Sequence, residues 1–169
     1  MGRIVGRIFN VISTVLVVLL ALVLLGVLGL RIFGLDSFIL NSDVMEPAFP
    51  SGSLLLVKNT DTTELAEGDA ITFYLDGKVE ATHRIHQVVE ENGERLFRTK
   101  ADAMEQPDPN PVKPEDVIGV PVFTVPYLGS LLTYMQTQQG LYLSIGVGLA
   151  VILLILLPPL LLDRDGHRR

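Results

Sequence analysis

The chain has 169 residues, 49% of them apolar, no cysteine, and a formal net charge of −6 from 13 Lys and Arg against 19 Asp and Glu. Without cysteine there is neither a disulfide framework nor a thiolate metal site, and the acidic balance excludes a strongly basic nucleic-acid binder. The apolar residues are also too unevenly spread for an ordinary soluble globule, because two stretches exceed the roughly eighteen residues that read as a membrane span.

Residues 1–10 carry Arg3 and Arg7 and no acid, and read as a cytoplasmic N-terminus. Val11 to Leu30 follows, without a charge. At about 1.5 Å per residue it makes a helix of about 30 Å, close to the hydrocarbon thickness. A cleaved secretory signal is the competing reading. This stretch is longer than the usual run of about 7–15 apolar residues and ends in Arg31 with no small-x-small pattern, so an uncleaved signal-anchor is expected.

Residues 31–140 hold 8 Lys and Arg against 17 Asp and Glu. They contain short β-prone runs separated by turn residues, the pattern of an all-β domain. The runs are Ser53 to Lys58, Ala70 to Leu75 (left by Asp76-Gly77), Val79 to Val89, Leu96 to Lys100 and Val117 to Val125. Asn92-Gly93 is the strongest hairpin signal. Ala101 to Pro114 has four prolines and reads as a loop. Leu128 to Gln138 reads as an amphipathic lead-in to a second span at residues 141–162, which Pro158 and Pro159 interrupt. A buried core helix is the alternative reading of that span. The last residues, 163–169, carry Arg164, Arg168 and Arg169 against Asp163 and Asp165. The distribution of Lys and Arg therefore predicts two cytoplasmic termini and an extracytoplasmic domain between the spans. The expected fold is a small, mainly β extracytoplasmic domain flanked by two transmembrane helices.

Within Val79 to Val89, period-2 alternation puts Val79, Ala81, His83, Ile85 and Val89 on one face, with Gln87 as the exception. Glu80, Thr82, Arg84, His86 and Val88 share the other. His83 thus stands among small and apolar neighbours, a candidate acid–base group as well as a candidate core histidine. His86 reads as solvated. The two face opposite ways, so they suggest no metal site, and no Gly-rich phosphate cradle is present. No cofactor is expected.

Four segments occur in a telling order: Ser42-Asp43-Val44-Met45-Glu46-Pro47, Thr82-His83-Arg84-Ile85, Thr99-Lys100-Ala101-Asp102 and Pro107-Asp108-Pro109. Together they resemble the boxes of type I signal peptidases, in the subfamily of archaea, the endoplasmic reticulum and some Gram-positive bacteria. Those boxes read Ser-Gly-Ser-Met-Glu-Pro, then Thr-His-Arg, then Thr-Lys-Gly-Asp with a further Asp six residues on. The resemblance covers about Ile39 to Gly129. It implies a membrane serine endopeptidase that removes signal peptides from exported precursor proteins, with the lipid bilayer as its surroundings and translocon or other membrane subunits as open candidates for partners. By the same resemblance His83 is the general base, Asp108 orients it and Asp102 supports the site. Ser42, Val44 and Met45 form the oxyanion and substrate-binding turn.

Two departures from that pattern bear on the chemistry and the local backbone. Val44 stands where the family has its nucleophilic serine, and valine cannot attack a carbonyl. Were the chain extended there, Ser42 would lie about 6.5–7 Å from position 44, too far to replace it. The chain is then a non-cleaving pseudoprotease that keeps the precursor groove, a variant with a substituted active site, or one whose register is offset by two so that Ser42 faces His83. A structural membrane subunit is the remaining alternative. Ala101 replaces the usual glycine and requires a negative φ there.

Overall fold

The computed structural model describes residues 2–162 apart from 76, 78 and 92. The tail at 163–169, Asp76 of the expected Asp76-Gly77 turn and Asn92 of the Asn92-Gly93 turn lie outside the described residues. In chain order the elements are α1 (Gly2–Ile32), β1 (Leu35–Leu40), β2 (Ser53–Lys58), β3 (Ala70–Leu75), β4 (Val79–Glu91), β5 (Glu94–Lys100), a 3₁₀ turn (Pro114–Asp116), β6 (Val117–Val125), α2 (Leu128–Gln136) and α3 (Gln138–Leu162). The chain divides into a helical unit, Met1–Gly29 with Tyr134–Arg169, and a β unit, Leu30–Thr133.

In the helical unit, Asn10–Leu30 and Gln138–Ile155 are long and apolar enough to cross a membrane. Their apolar side chains face outward, Leu25 and Ile152 among them, the opposite of a soluble core helix. The Ser13 hydroxyl donates to the Leu154 carbonyl at 3.3 Å.

The β unit is a six-stranded antiparallel sheet in the order β1-β2-β6-β3-β4-β5. Register shifts between Leu56 and Val57, between Thr72 and Phe73, and between Ile85 and Gln87 bend it. Twist and bulges together curl the sheet until β1 meets β4, which stands fifth in the order. A curled sheet encloses apolar side chains. One cluster joins Leu65, Ile71, Phe73, Ile85, Phe97 and Val112, and the second joins Leu40, Met45, Leu55, Val57 and Ala101. Between them the buried Thr72 and Thr82 share a hydroxyl–hydroxyl hydrogen bond of 2.9 Å, so neither polar group is stranded.

The five expected strands form at or near their sequence bounds. The hairpin closes between Glu91 and Glu94, and Gly93 takes the positive φ of 80° that such a loop demands. β1 is the strand that the β-prone runs did not include: Asp36-Ser37 interrupts it, and as an edge strand paired only with β2 it leaves those two residues exposed.

The alternation along β4 also needs correcting. His86 is an extra residue in the pairing with β5, because Ile85 opposes Thr99 and Gln87 opposes Arg98. That bulge reverses the parity beyond it. Val88, placed with His86 by simple alternation, instead packs with Ile85 on the first cluster, while Gln87 is exposed.

The sheet tolerates no side chain at Gly119. A Cβ there would overlap the Lys58 carbonyl oxygen on β2. Gly119→Ala is expected to destabilise the β unit by about 1–3 kcal/mol, as overpacking does, measured by thermal or denaturant unfolding.

Candidate active site

The site begins where β1 ends. Beyond Leu40 the chain turns instead of running on extended: Glu46 N–H donates to the Asp43 carbonyl at 3.0 Å and Phe49 N–H to the Met45 carbonyl at 2.9 Å. Met45 is 0% exposed and belongs to the second apolar cluster. It packs beneath the turn, and its side chain is not among those that line the groove described next. With Met45 pinned inward, its neighbour Val44 is half-buried and faces a cavity of about 350 Å³.

That cavity lies between β1 and β4. Its walls are Phe38–Ser42 and Val44 on one side, Val79–His83 on the other, and Leu55 with Thr72 behind. Ser42, Val44 and His83, expected to act together, thus share one groove. Val44 N–H donates to Ser42 Oγ at a long 3.3 Å. The two groups expected to receive an oxyanion thus lie within hydrogen-bond distance of each other at the mouth of the turn. The extended geometry assumed between Ser42 and Val44 does not hold, because the serine folds back on the turn.

His83 is placed by β3, since the pairing of β4 with β5 begins one residue later, at Arg84. Ile71 opposes it in β3, and its ring meets Phe73 edge-on, with centroids 5.7 Å apart. Its Nδ1 lies 2.6 Å from Asp108 Oδ2, so the carboxylate fixes the proton on Nδ1 and leaves the Nε2 lone pair free to act as a base. Asp108 comes from the Pro-rich loop and is itself held by Thr99 on β5. Asp108 N–H donates to the Thr99 carbonyl at 2.8 Å, and the Thr99 hydroxyl donates to Asp108 Oδ2 at 2.5 Å.

Asp102 does not join this group. It pairs with Arg84, with Nε to Oδ1 at 2.8 Å and Nη2 to Oδ2 at 2.7 Å, while Arg84 Nη1 donates to the Gly68 carbonyl. The next residue, Ala103, gives its N–H to the Val44 carbonyl at 2.8 Å. The second aspartate therefore braces the loop against the strand that carries His83 and against the turn that carries Val44. The Arg84 hydrogen bonds hold the Asp102 carboxyl below its usual range, against the opposing effect of burial, and Asp102 in turn raises Arg84. Ala101 has no positive φ and packs in the second cluster, so the exchange for glycine is accommodated.

Reasoning from the sequence gave no role to Thr99, and none to Arg84 beyond its face of the strand. Both lie inside the quoted boxes, and that was the available signal. Among the described residues no three His, Asp or Glu side chains converge as a metal site.

No protein-family profile matches the chain. Similarity to individual proteins is clear. Signal peptidase I W of Bacillus subtilis (strain 168) is 36% identical over 120 residues, which cover 68% of this chain and 63% of that protein. The signal peptidase complex catalytic subunit SEC11C of Homo sapiens, like that of Canis lupus familiaris, is 31% identical over 107 residues, covering 58% of this chain and 56% of the relative. The chain thus spans about three-fifths of the length of these relatives.

The Asp102–Arg84 brace carries its own pH signature. A carboxyl depressed in the folded state contributes stability that is present above its unfolded pKa, ordinarily 3.8, and is lost as pH falls through the lower folded value. Asp102→Asn is expected to melt at lower temperature than the unsubstituted chain at pH 7, with the gap closing below pH 3.8. A gap independent of pH would contradict this.

Proposed function

We propose that this chain, which belongs to the type I signal peptidase family, is a membrane-anchored signal-peptidase scaffold that receives the signal peptides of exported precursors and, with Val44 at the nucleophile position, does not cut them at an appreciable rate. The two apolar helices hold it in the bilayer at residues 11–30 and 141–162. The excess of Arg before the first uncharged stretch supports cytoplasmic termini and an extracytoplasmic β unit. Precursors are the partners, and translocon or other membrane subunits remain candidates.

One observation carries the reading: Ser42, Val44 and His83 line a single groove, and His83 Nδ1 is bonded to Asp108. In acyl transfer the base takes the nucleophile's proton and returns it to the leaving amine, while two donors hold the oxyanion. In this reading His83 takes the first task, which its bond to Asp108 supports. Ser42 Oγ and Val44 N–H take the second, which their shared position in the groove supports. An extended peptide would lie in the groove beside β1, whose outer edge makes no strand pairing among the described residues. The attacking hydroxyl is what the set lacks, because an isopropyl group offers neither proton nor lone pair.

Loss of the serine of a Ser-His-Asp set costs on the order of 10⁶ in kcat. With one signal-peptide-bearing precursor followed by gel, Val44→Ser is expected to cleave, the unsubstituted chain to leave the precursor intact, and His83→Ala in the Val44→Ser background to abolish cleavage. Equal cleavage by the unsubstituted chain, abolished by Ser42→Ala, would move the nucleophile to Ser42. Saturable precursor binding without product by the unsubstituted chain fits the proposal. Neither binding nor cleavage by either chain would leave a structural membrane subunit.

A further inference from the structure

We infer that Thr99 is a positioning residue for the base: its buried hydroxyl locks the Asp108 carboxylate in the orientation that keeps the His83 proton on Nδ1. The inference rests on the reading of His83 as general base. Thr99 is 0% exposed and stands on β5 opposite Ile85, two residues from His83 along β4. Asp108, by contrast, is carried by a loop with prolines on either side, and its side chain is 22% exposed. A carboxylate on such a loop is free to turn about its last torsion, which is broad and roughly two-fold.

Thr99 removes that freedom at two points. Its carbonyl takes the Asp108 N–H, which fixes the backbone, and its hydroxyl donates to Oδ2, the same oxygen that meets His83 Nδ1. An ionised carboxylate only accepts, so the hydroxyl and the imidazole must both donate. One oxygen receiving two donors distinguishes Oδ2 from Oδ1 and commits Nδ1 to its proton. Nε2, on the far side of the ring, is then left as the basic nitrogen. The hydroxyl touches neither substrate nor reacting atoms and acts through Asp108 alone.

Ring ¹⁵N NMR of the full chain in detergent micelles tests this with Val44 in place, at about pH 9, well above the ordinary imidazole range. The His83 signals are identified by their loss in His83→Ala. The unsubstituted chain and Thr99→Ser are expected to show the Nδ1–H tautomer alone, whereas Thr99→Val and Thr99→Ala show a mixture with Nε2–H. Two truncations are used so that one folded variant suffices, as judged by circular dichroism. A sole Nδ1–H tautomer in either folded truncation would overturn the proposal.

In the Val44→Ser background, Thr99→Val is expected to lower kcat about tenfold or more with KM little changed, and Thr99→Ser to restore it. The ceiling is the ~10⁴-fold loss that accompanies the wrong tautomer in a Ser-His-Asp set. An unchanged kcat would also overturn it. Failure of Val44→Ser itself to cleave would overturn the functional reading, while the tautomer measurement would still decide the role of Thr99.

Discussion

The proposed chemistry depends on a single hydrogen bond, the 2.6 Å contact between His83 Nδ1 and Asp108 Oδ2. Without it His83 is a half-buried histidine set edge-on against Phe73, indistinguishable in kind from a core residue. With it the ring has a defined tautomer and an outward nitrogen of known character. The two partners come from unlike places. The imidazole rides on the central part of the longest strand, which is paired on both sides, while the carboxylate rides on an irregular loop. Much of the surrounding structure can be understood as the means of bringing that loop to a fixed distance from that strand.

Two ties do this. Thr99 holds the loop at Asp108 from the end of β5, and the bidentate Arg84–Asp102 pair holds it where β5 has just ended. A bidentate guanidinium–carboxylate pair adds directional specificity as well as attraction. Arg84 is the residue after His83, so the brace and the base share one stretch of backbone. Ala103 extends the brace to the Val44 carbonyl. The two aspartates of the loop therefore have separate tasks, one on the imidazole and one on the frame.

The sequence made most of this legible, and the exceptions have physical causes. The strands from Ser53 onward announce themselves through β-branched and aromatic residues between turn signals. β1 does not, since three apolar residues at the end of an edge strand carry too little period. The pairing of His83 with Asp108 was implied by the order of the boxes, although no local pattern connects residues 25 apart. The burial of Met45 was not legible either, because membership of a motif does not say which way a side chain faces. A residue can be essential to a turn by being 0% exposed beneath it. The His86 bulge could not be read either. A bulge is a property of two strands in register, and one strand's alternation only hints at it through the misplaced Gln87. Thr99 and Arg84 were quoted without a role for the same reason: their partners lie across the fold.

Val44 is informative because the rest of the site does not depend on its side chain. The imidazole is set by β3 and Asp108, and Asp108 is set by Thr99. The turn is set by Met45 and by backbone hydrogen bonds, and residue 44 contributes through its own N–H and C=O. Those backbone groups are the same for serine as for valine. The isopropyl group packs against the second apolar cluster, as Phe38, Phe49 and Ile118 also do. Exchanging it for a hydroxymethyl removes some apolar contact and adds a hydroxyl in a groove that already contains an oriented base. On the proposed reading, the oxyanion donors and the base are therefore preorganised independently of the nucleophile, and a scaffold of that kind can keep its affinity for an extended peptide after losing the group that would cut it.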